Sequence, residues 1–407
     1  MKDRFVHPKD YYRSALIFLL LVASIHLQAQ NWELIKSFQP AQTLHSIKFA
    51  SENVGYTVST LYNGSTYNIH KTMDGGDSWI DQSSGHTATR FKDIFIVSED
   101  TVFMCGNFGI VIHTYDGGEN WITDTVSANQ DHFFGISFVG ETGYVCGNSG
   151  AIYKTINLGE TWEQVTPPFI TAIEEIYFLT PDFGFICGLN FIYYTEDGGN
   201  TWTEPETFPG ATTNWWLREF TFPGDSVGFV SADIGQVYKT EDRGKNWEYM
   251  EDSPTTESLQ SIYALDENVV YACGYTGTVM RSDDGAKNWQ VMTAGSSQHF
   301  YGMDFTPEGN GFICTQVGEV LSYFDPYLSV DEMQAATNVK VYPNPASDFI
   351  TIDTKYEITG IEMFDFYGGK VLKQRHNRID LMGIAPGIYF LLISSTESQT
   401  IMKITVQ

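Results

Sequence analysis

The sequence predicts an all-β protein, and three observations support this prediction. Short runs that alternate apolar and polar residues recur along the 407 residues, as in FGISFV and GIVIHT, while apolar residues at helical spacing are nearly absent. Aromatic residues form 15% of the chain and 37 residues are glycine, which suits short strands joined by tight turns. A block that ends in tryptophan also returns at regular intervals, as a repeat fold requires.

The repeated block has the form Lys/His/Tyr-Thr-x-Asp-Gly-Gly-x-x-Trp, with small variations. Its six copies end at Trp79, Trp121, Trp162, Trp202, Trp247 and Trp289, which are 40 to 45 residues apart. A second block, an apolar strand followed by an aromatic-apolar-Cys-Gly strand, occurs seven times, with its turn and second strand first at 51–60 and last at 310–318. One four-stranded blade of a β-propeller needs about 40 to 45 residues. The repeats therefore predict a seven-bladed β-propeller over residues 30–326.

The first strand of the propeller is predicted to complete its last blade. The seventh copy of the second block is not followed by a tryptophan, but NWELIKSF at 31–38 matches NWEYMEDS at 246–253 and supplies Trp32. Pairing of this N-terminal strand with the last blade would close the ring by hydrogen bonding and remove an exposed sheet edge. A count of six repeats with a ragged end is the alternative.

The repeated block predicts a hairpin turn in which the polar residues have structural tasks. The carboxylate or amide at its centre can accept hydrogen bonds from the turn's own backbone, and the glycines permit positive φ. The central positions are Asp74, Asp116, Asn157, Asp197, Asp242 and Asp284. Ala286 stands where five copies have glycine, so we expect a distorted turn there. Metal or ligand binding is the weaker alternative, because each turn offers one carboxylate far from the others, and we expect no metal.

The five cysteines occupy one column of the repeat. They are Cys105, Cys146, Cys187, Cys273 and Cys314, while Val58 and Ser231 fill this column in the other two copies. Side chains buried inside separate blades lie too far apart to form disulfides. We therefore expect five free thiols that pack as small apolar residues.

Residues 1–29 have the pattern of a secretory signal peptide. Four basic residues accompany the apolar run ALIFLLLVASI, which is short for a membrane span, and Leu27-Gln28-Ala29 offers a cleavage site. An uncleaved anchor is the alternative, and no transmembrane segment is expected after signal removal. Residues 31–337 hold 12 basic against 41 acidic residues. Such an acidic body repels phosphate backbones, which argues against nucleic acid as a partner.

The repeat ends before a linker at 327–337 and a separate domain at 338–407. Four or more short strands separated by turn-rich spacers predict a small, immunoglobulin-like (Ig-like) β-sandwich. Tyr342-Pro343-Asn344-Pro345 excludes a helix or a central strand at its start. A carbohydrate-binding sandwich is one interpretation of this domain.

One column of the repeat is chemically mixed and predicts a binding surface. Each innermost strand begins with a pattern such as LHSI or FKDI, and its second position holds His45, Lys92, Phe134, Glu174, Arg218, Gln260 and Tyr301. Two residues later every copy is apolar. The contrast predicts that the mixed column lines the mouth of the central channel, with simple solvent exposure as the alternative. Trp215 and Trp216 lie just before Arg218, and we expect one of them near this rim, stacking on a sugar or peptide or capping the blade edge.

The repeated block resembles the Asp-box or BNR repeat. The seven-copy region, with its Gly-Tyr/Phe-x-Cys-Gly strands, is similar to the Ycf48-like photosystem II assembly-factor propellers, and the resemblance covers about 31–326. It is specific for architecture rather than activity, since propellers with this repeat include sialidases, sortilin-type receptors, xyloglucanases and assembly factors. The resemblance implies a scaffold or recognition role. Photosystem II itself is not the expected partner, because the C-terminal domain implies export.

Residues 338–407 resemble the type A C-terminal sorting domain of the type IX secretion system of Bacteroidota. The similarity rests on the opening Tyr342, Pro343, Asn344 and Pro345, on Gly387 and Tyr389 in Pro-Gly-Ile-Tyr, and on Lys403 in the Lys-x-x-Val ending. It implies that the type IX secretion machinery is a partner. The protein would then pass the periplasm and outer membrane to be secreted or attached to the cell surface.

These observations predict an exported, non-enzymatic binding or scaffold module for a protein, peptide or glycan. A secreted glycoside hydrolase, sialidase-like or xyloglucanase-like, is the alternative. Sialidase chemistry needs an arginine cluster, and only Arg90 and Arg218 of the propeller lie away from the turn blocks and the strands that lead into them. No HExxH, GxSxG or phosphate-loop motif is present. We therefore expect no catalytic residues, no cofactor and a monomer.

Overall fold

The computed structural model describes residues 31–61, 67–82, 90–167, 169–209, 215–324, 339–342, 346–354, 356, 358–365, 370–384, 387–395 and 399–406. The chain divides into two compact units, residues up to Phe324 and residues from Asp325. Within the described ranges, no helix is both long enough and apolar enough to cross a membrane.

The strands of the first unit form seven sheets among its described residues. The first strand of the described residues is β1 (Asn31–Ser37). Sheet A contains β2 (Gln42–Phe49), β3 (Gly55–Leu61), β4 (Tyr67–Thr72) and β5 (Ile80–Asp81). Sheet B contains β6 (Phe91–Ile96), β7 (Val102–Gly106), β8 (Ile110–Thr114) and β9 (Ile122–Thr125). Sheet C contains β10 (Phe133–Val139), β11 (Thr142–Gly147), β12 (Ile152–Thr155) and β13 (Glu163–Gln164).

The remaining sheets of this unit follow the same plan, with one shorter and one longer member. Sheet D contains β14 (Ile173–Phe178), β15 (Gly184–Gly188) and β16 (Phe191–Thr195). Sheet E contains β17 (Leu217–Thr221), β18 (Gly228–Ala232), β19 (Val237–Thr240) and β20 (Glu248–Tyr249). Sheet F contains β21 (Leu259–Ala264), β22 (Val270–Gly274), β23 (Val279–Ser282) and β24 (Gln290–Val291). Sheet G runs in the order β25 (Thr293–Ala294), β1, β28 (Glu319–Phe324), β27 (Asn310–Thr315) and β26 (Phe300–Phe305). Short 3-10 turns occupy Asn107–Gly109, Asn148–Gly150, Asp233–Gly235 and Tyr275–Gly277.

The first strands of the seven sheets surround a common centre. Each first strand contacts the first strand of the sheet before it and of the sheet after it, from sheet A through sheet G and back to sheet A. The second strands β7, β15, β18 and β22 are buried at every residue. Neighbouring sheets cover both faces of these strands, which is why their residues are mostly apolar rather than alternating. The core of this unit therefore lies between successive sheets.

The N-terminal strand belongs to sheet G, which the last strands of the unit also form. β1 pairs antiparallel with β28 and parallel with β25. Trp32 is 1% exposed, stacks on Tyr323 at 5.2 Å between ring centroids and meets Phe305 edge-on at 5.9 Å. The buried ring of Trp32 therefore helps to hold β1 in sheet G, in addition to the hydrogen bonds of β1.

The repeated turn is held by a threonine or serine as much as by its carboxylate. In sheet B, the Thr114 hydroxyl donates to Asp116 Oδ1 at 2.8 Å and accepts the backbone N–H of Gly118 at 2.9 Å. Asp116 also accepts the backbone N–H and the side-chain amide of Asn120, at 2.9 and 2.7 Å. These hydrogen bonds lower the pKa of Asp116 to about 2. In the other five turns, the equivalent threonine or serine hydroxyl and the central aspartate or asparagine make the corresponding hydrogen bonds.

The expectation of a distorted turn at Ala286 is wrong. Ala286 adopts φ +69°, and its N–H donates to the Ser282 hydroxyl at 2.9 Å, as glycine does in the other copies. Asn288 also donates its backbone N–H to Asp284 at 2.8 Å. The backbone accepts a left-handed alanine because the surrounding hydrogen bonds and the burial of its methyl group hold the turn.

Sheet D has three strands because of a proline. In other copies of the repeat, the residue three positions after the tryptophan donates its backbone N–H to the third strand. Val165, for example, donates to the carbonyl of Ile152 at 2.9 Å. The equivalent residue in sheet D is Pro205, which has no N–H. The chain then turns to the next sheet, where Glu206 donates its backbone N–H to the carbonyl of Lys245 at 2.8 Å.

The prediction about the cysteines is confirmed. Cys105, Cys146, Cys187, Cys273 and Cys314 are all free and buried. Burial raises the pKa of each thiol, so these side chains remain protonated and unreactive at neutral pH.

The second unit contains two further sheets among its described residues. Sheet H contains β29 (Val339–Tyr342), β30 (Phe349–Thr354) and β33 (Arg378–Asp380). Sheet I contains β31 (Ile358–Asp365), β32 (Lys370–Gln374), β34 (Gly387–Ser395) and β35 (Gln399–Val406). Side chains of both sheets, such as Ile350 and Ile352 with Ile361 and Leu391, share one apolar core.

Candidate functional site

Every first strand of the first unit carries a β-bulge near its start. The pairing register with the second strand shifts between the first and third residues of the LHSI-type pattern in six sheets, and between Leu217 and Phe220 in sheet E. A bulge places two residues opposite one, so side chains no longer alternate strictly between the two faces. The second and third residues of the pattern can therefore both face the centre.

A cavity of about 250 Å³ lies where these bulges meet. It is lined by all seven residues of the mixed column, which are His45, Lys92, Phe134, Glu174, Arg218, Gln260 and Tyr301. Two positions later the residues Ile47, Ile94, Ile136, Ile176, Phe220, Ile262 and Met303 are all buried. The structure thus brings together every residue of that column, and their role in ligand binding stays a prediction.

One wall of the cavity is aromatic. The ring of His45 stacks on Tyr301 at 6.3 Å between centroids, and Tyr275 meets Tyr301 edge-on at the same distance. Burial, with the nearby charges of Arg90 and Lys92, holds the pKa of His45 well below its usual range. His45 is therefore neutral at neutral pH, and its Nε2 accepts a hydrogen bond from Arg90 Nε at 3.3 Å.

The adjoining wall carries two cations that no carboxylate neutralises. With the described residues, the Lys92 side chain makes no hydrogen bond or ion pair, and the Arg90 guanidinium hydrogen-bonds the neutral His45 but no carboxylate. Burial lowers the pKa of Lys92, and the positive charges of Arg90 and Arg218 lower it further against the opposing effect of Glu174. This wall would therefore gain from an anionic group nearby.

Arg218, by contrast, is fully engaged. It donates to Glu174 at 3.1 Å and to Asp233 at 3.1 and 2.8 Å through Nε and Nη2. Asp233 also accepts the Ser258 hydroxyl at 2.5 Å, and Gln260 donates to Ser258 at 2.6 Å. This network connects sheets D, E and F at the mouth, and its one guanidinium is shared by two carboxylates.

The deeper part of the cavity is acidic and holds one lysine. Lys48 donates to Glu219 at 3.2 Å. Burial alone would lower the pKa of Lys48, but the carboxylates of Glu219, Asp304 and Asp93 raise it well above its usual range. Burial raises the pKa of Asp93, and it raises the pKa of Asp304 to about 6.

Most of these carboxylates bind the backbone of the next sheet. Asp93 accepts the backbone N–H of Ile136 at 3.2 Å, and Asp304 accepts that of Phe49 at 2.6 Å. Glu219 accepts the N–H of Ile262 at 3.2 Å. Buried carboxylates thereby connect neighbouring sheets around the centre, which is a structural task.

Glu175 differs from its neighbours. Its side chain lines the cavity and makes no hydrogen bond or ion pair with the described residues. Burial and the nearby charges of Asp93 and Glu219 raise its pKa well above the usual range. The carboxyl therefore holds its proton more firmly than an exposed glutamate does, and a positive charge nearby would favour its ionised form.

Trp215 and Trp216 do not line the cavity, although they lie beside it. Both are half-buried. The Arg218 guanidinium lies 5.9 Å from the ring centre of Trp216, and Trp216 donates its backbone N–H to Asp233 at 3.1 Å. Trp215 donates its N–H to Asn190 at 2.9 Å. Trp216 thus supports Arg218 from behind, which makes it a positioning residue.

The remaining predicted residues lie elsewhere in the chain. The six central residues of the repeated turns do not line the cavity. In the second unit, Tyr342 is 50% exposed and Tyr389 is buried. Gly387 and Lys403 lie in β34 and β35, while Pro343, Asn344 and Pro345 lie outside the described residues.

Sequence reasoning missed Lys48, Glu175 and Tyr275 as cavity residues. The usable signal for Lys48 was a charged residue between the apolar Ile47 and Phe49 of a first strand. Glu175 directly follows Glu174, a rim residue. This position indicates a cavity residue only when the β-bulge of the strand is known. Tyr275 follows a second strand rather than a first strand, and nothing in its spacing indicated the cavity.

The closed ring of antiparallel sheets with a central cavity defines a β-propeller. A family model described as photosynthesis system II assembly factor YCF48 matches residues 25–167 and 160–256. A second model, described as secretion system C-terminal sorting domain, matches residues 340–407. The chain belongs to the YCF48 family and carries a C-terminal sorting domain of the secretion-system type.

Solved structures agree with this assignment at the level of the fold. "YCF48 bound to D1 peptide" is 22% identical over 72% of this chain and 94% of that chain, with a TM-score of 0.60. "YCF48 from Cyanidioschyzon merolae" is 18% identical over 72% and 98%, with a TM-score of 0.58. "Streptogramin B lyase structure" is 10% identical over 72% and 96%, with a TM-score of 0.61. No curated protein matches the chain. Since the propeller fold supports both binding proteins and enzymes, the fold alone does not define an activity.

Proposed function

We propose that this protein is a secreted binding propeller that holds a protein, peptide or glycan at the mouth of its central channel. The observation that carries the proposal is the cavity in which all seven residues of the mixed column converge, with two unneutralised cations beside an aromatic wall. A peptide ligand is favoured because a solved YCF48 structure holds a peptide.

The architecture that we propose for this function has two parts. The seven sheets A to G are the blades of a seven-bladed propeller, completed by β1, and sheets H and I form a small β-sandwich. The sandwich directs the chain to the type IX secretion machinery, and the propeller is the cargo that acts outside the cell or on its surface. The sorting-domain match supports this route.

A non-enzymatic role fits the chemistry of the cavity best. Glu174 is neutralised by Arg218, and Asp93 is held by a backbone amide, so neither is free to act as a general acid or base. Glycoside hydrolysis remains the second candidate, because Glu175 has the raised pKa that a general acid needs. Turnover of a glycoside panel that is abolished by Glu175→Gln would favour the hydrolase.

The test of the binding role uses the full chain on a peptide array and a glycan array. The variant combines Lys92→Met with Phe134→Ala, two cavity residues with no hydrogen-bond partner among the described residues. Lys245→Met, on an outer turn of sheet E, is the matched control. We expect at least a tenfold loss of affinity for the best array ligand in the double variant and none in the control. Unchanged affinity, or no ligand on either array, would contradict the proposal.

A further inference from the structure

The cavity carries polar side chains without partners on either side of sheet C, two cations on one side and a carboxyl on the other. Lys92 and Arg90 lie on the sheet B side, and Glu175 lies on sheet D. The other charged groups beside them are engaged, Arg218 with Glu174 and Asp233, and Lys48 with Glu219. A charged or polar side chain without a partner is costly where bulk water is limited, so both sides of the cavity favour a complementary group. An ammonium group beside Glu175 would favour the ionised form of its carboxyl.

The sequence explains why Glu175 has no partner. The third position of the inner-strand pattern reads Ser46, Asp93, Gly135, Glu175, Glu219, Ser261 and Gly302 around the ring. Asp93 has Ser46 as one neighbour and accepts its hydroxyl at 3.1 Å, and Glu219 has Ser261 and accepts its hydroxyl. Glu175 stands between a glycine and another carboxylate. It therefore has no neighbouring hydroxyl that could donate to it.

Gly135 lies in close contact with this carboxylate. A Cβ built on Gly135 would lie 3.2 Å from Glu175 Oε2, 3.2 Å from the backbone nitrogen of Ile176 and 3.3 Å from Cys146 Sγ. A side chain there would press on the Glu175 carboxyl and displace it. The residue before Gly135, Phe134, lines the same cavity and offers an apolar surface between the two charged sides.

We propose that this cavity binds a small zwitterion, a free amino acid or dipeptide, with its carboxylate at Lys92 and Arg90 and its ammonium group at Glu175. The inference rests on the proposed function, since it places its ligand in the same cavity. A ligand with one charge would satisfy only one side, because a carboxylate alone leaves Glu175 without a partner and an ammonium group alone leaves Lys92 and Arg90 without one. The volume, about 250 Å³, is below that of sites for drug-sized ligands, which span roughly 300–1,000 Å³.

The experiment compares zwitterions with their single-charge counterparts by titration calorimetry on the full chain. The zwitterions run from glycine to 6-aminohexanoate, with dialanine added, so that the separation of the two charges varies. Each is matched in length to a carboxylate and an amine, for example 4-aminobutyrate with butyrate and butylamine. We expect at least one zwitterion to bind tenfold or more tightly than both of its counterparts. The absence of any such preference across the series would overturn the inference.

Variants assign the two ends of the ligand. In Glu175→Gln, the affinity for the best zwitterion should fall at least tenfold and come close to the affinity for the matched carboxylate. Lys92→Met should do the same with respect to the matched amine, and Gly135→Ala should weaken binding by displacing the Glu175 carboxyl. Glu196→Gln, on an outer turn of sheet D, is the control and should change nothing. Equal affinity in Glu175→Gln and the unsubstituted chain would refute the assignment.

The outcome separates this inference from the broader proposal. If the array ligand binds and depends on Lys92 and Phe134 while no zwitterion binds, the zwitterion assignment fails and the binding role stands. If neither the arrays nor the zwitterions give a ligand that depends on cavity residues, both fail.

Discussion

At the residue scale, the repeated turn depends on a buried hydroxyl that the sequence pattern understates. Thr114 is fully buried and bridges two partners, the carboxylate of Asp116 and the N–H of Gly118. The aspartate itself is exposed, so its hydrogen bonds are the ones that solvent weakens. The hydroxyl is therefore the more sensitive position of the two.

The first prediction concerns this hydroxyl. Thr114→Val keeps the shape of the side chain but leaves the buried N–H of Gly118 without a partner, which should cost about 1–3 kcal/mol of unfolding free energy. Denaturant titration measures the loss. Thr114→Ser is the control, because Ser282 makes the same hydrogen bond in sheet F. An equal loss in both variants would show that the methyl group, not the hydroxyl, matters.

The second prediction concerns the thiols. Because all five cysteines are free and buried, the denatured and unreduced chain should titrate close to five thiols with a colorimetric reagent, and the native chain should react slowly. One thiol or none after denaturation would mean that disulfides form in the protein as produced.

The residues that share one column of the repeat were predictable from the sequence. Which columns line the cavity together was not. Copies of one repeat occupy equivalent places in successive sheets, so Lys92 and Tyr301 could be assigned to one rim from sequence spacing alone. Glu175 could not, because strict alternation would turn it away from its neighbour Glu174. The bulge between Ile173 and Glu175 breaks that alternation, and no feature of the sequence marks it.

At the scale of elements, β1 shows how a distant strand completes a sheet. Its pairing with β28 was predictable because Trp32 fills a vacant column of the repeat. The three-stranded sheet D was not predicted, although Pro205 stands at a position where the strand must donate an N–H. The repeat motif ends at the tryptophan and does not include the third residue after it, which is Pro205 in this copy.

The third prediction tests the contribution of β1. Trp32→Ala removes a large side chain that is 1% exposed and packed between Tyr323 and Phe305, which should cost about 3–5 kcal/mol. Glu33→Ala, on the same strand with an exposed side chain, should stay within about 0.5 kcal/mol. Chemical denaturation gives both values. A loss below about 1 kcal/mol for Trp32→Ala would mean that β1 is dispensable.

At the scale of the whole molecule, acidity has two opposite effects. The formal net charge is −27, and most acidic residues are exposed, where they favour solubility. A few lie around the centre, where burial raises the pKa of Asp93, Glu175 and Asp304. Ionisation of these groups opposes folding, whereas the turn aspartates, whose pKa is lowered, favour folding once ionised.

The fourth prediction concerns pH. The folded state raises the pKa of Asp304 to about 6, so its contribution to stability is complete below its ordinary pKa of 3.8 and is lost as pH rises to 6. Asp304→Asn should therefore gain about 3 kcal/mol relative to the unsubstituted chain between pH 4 and pH 7. Denaturation midpoints at each pH measure the difference. Buried histidines with lowered pKa act in the opposite direction, but they are present in both proteins and cancel. A difference independent of pH would contradict the assignment.

The pairing of β1 with β28 also has a consequence for the order of events during synthesis. Ser37 pairs with Glu319, so about 280 residues must be made after the first strand before its partner exists. At roughly 5–20 residues per second, this takes roughly 15–60 s. Throughout that time β1 lacks β28, and Trp32 lacks the rings of Phe305 and Tyr323. β1 can therefore take its place in sheet G only after most of the first unit has been made.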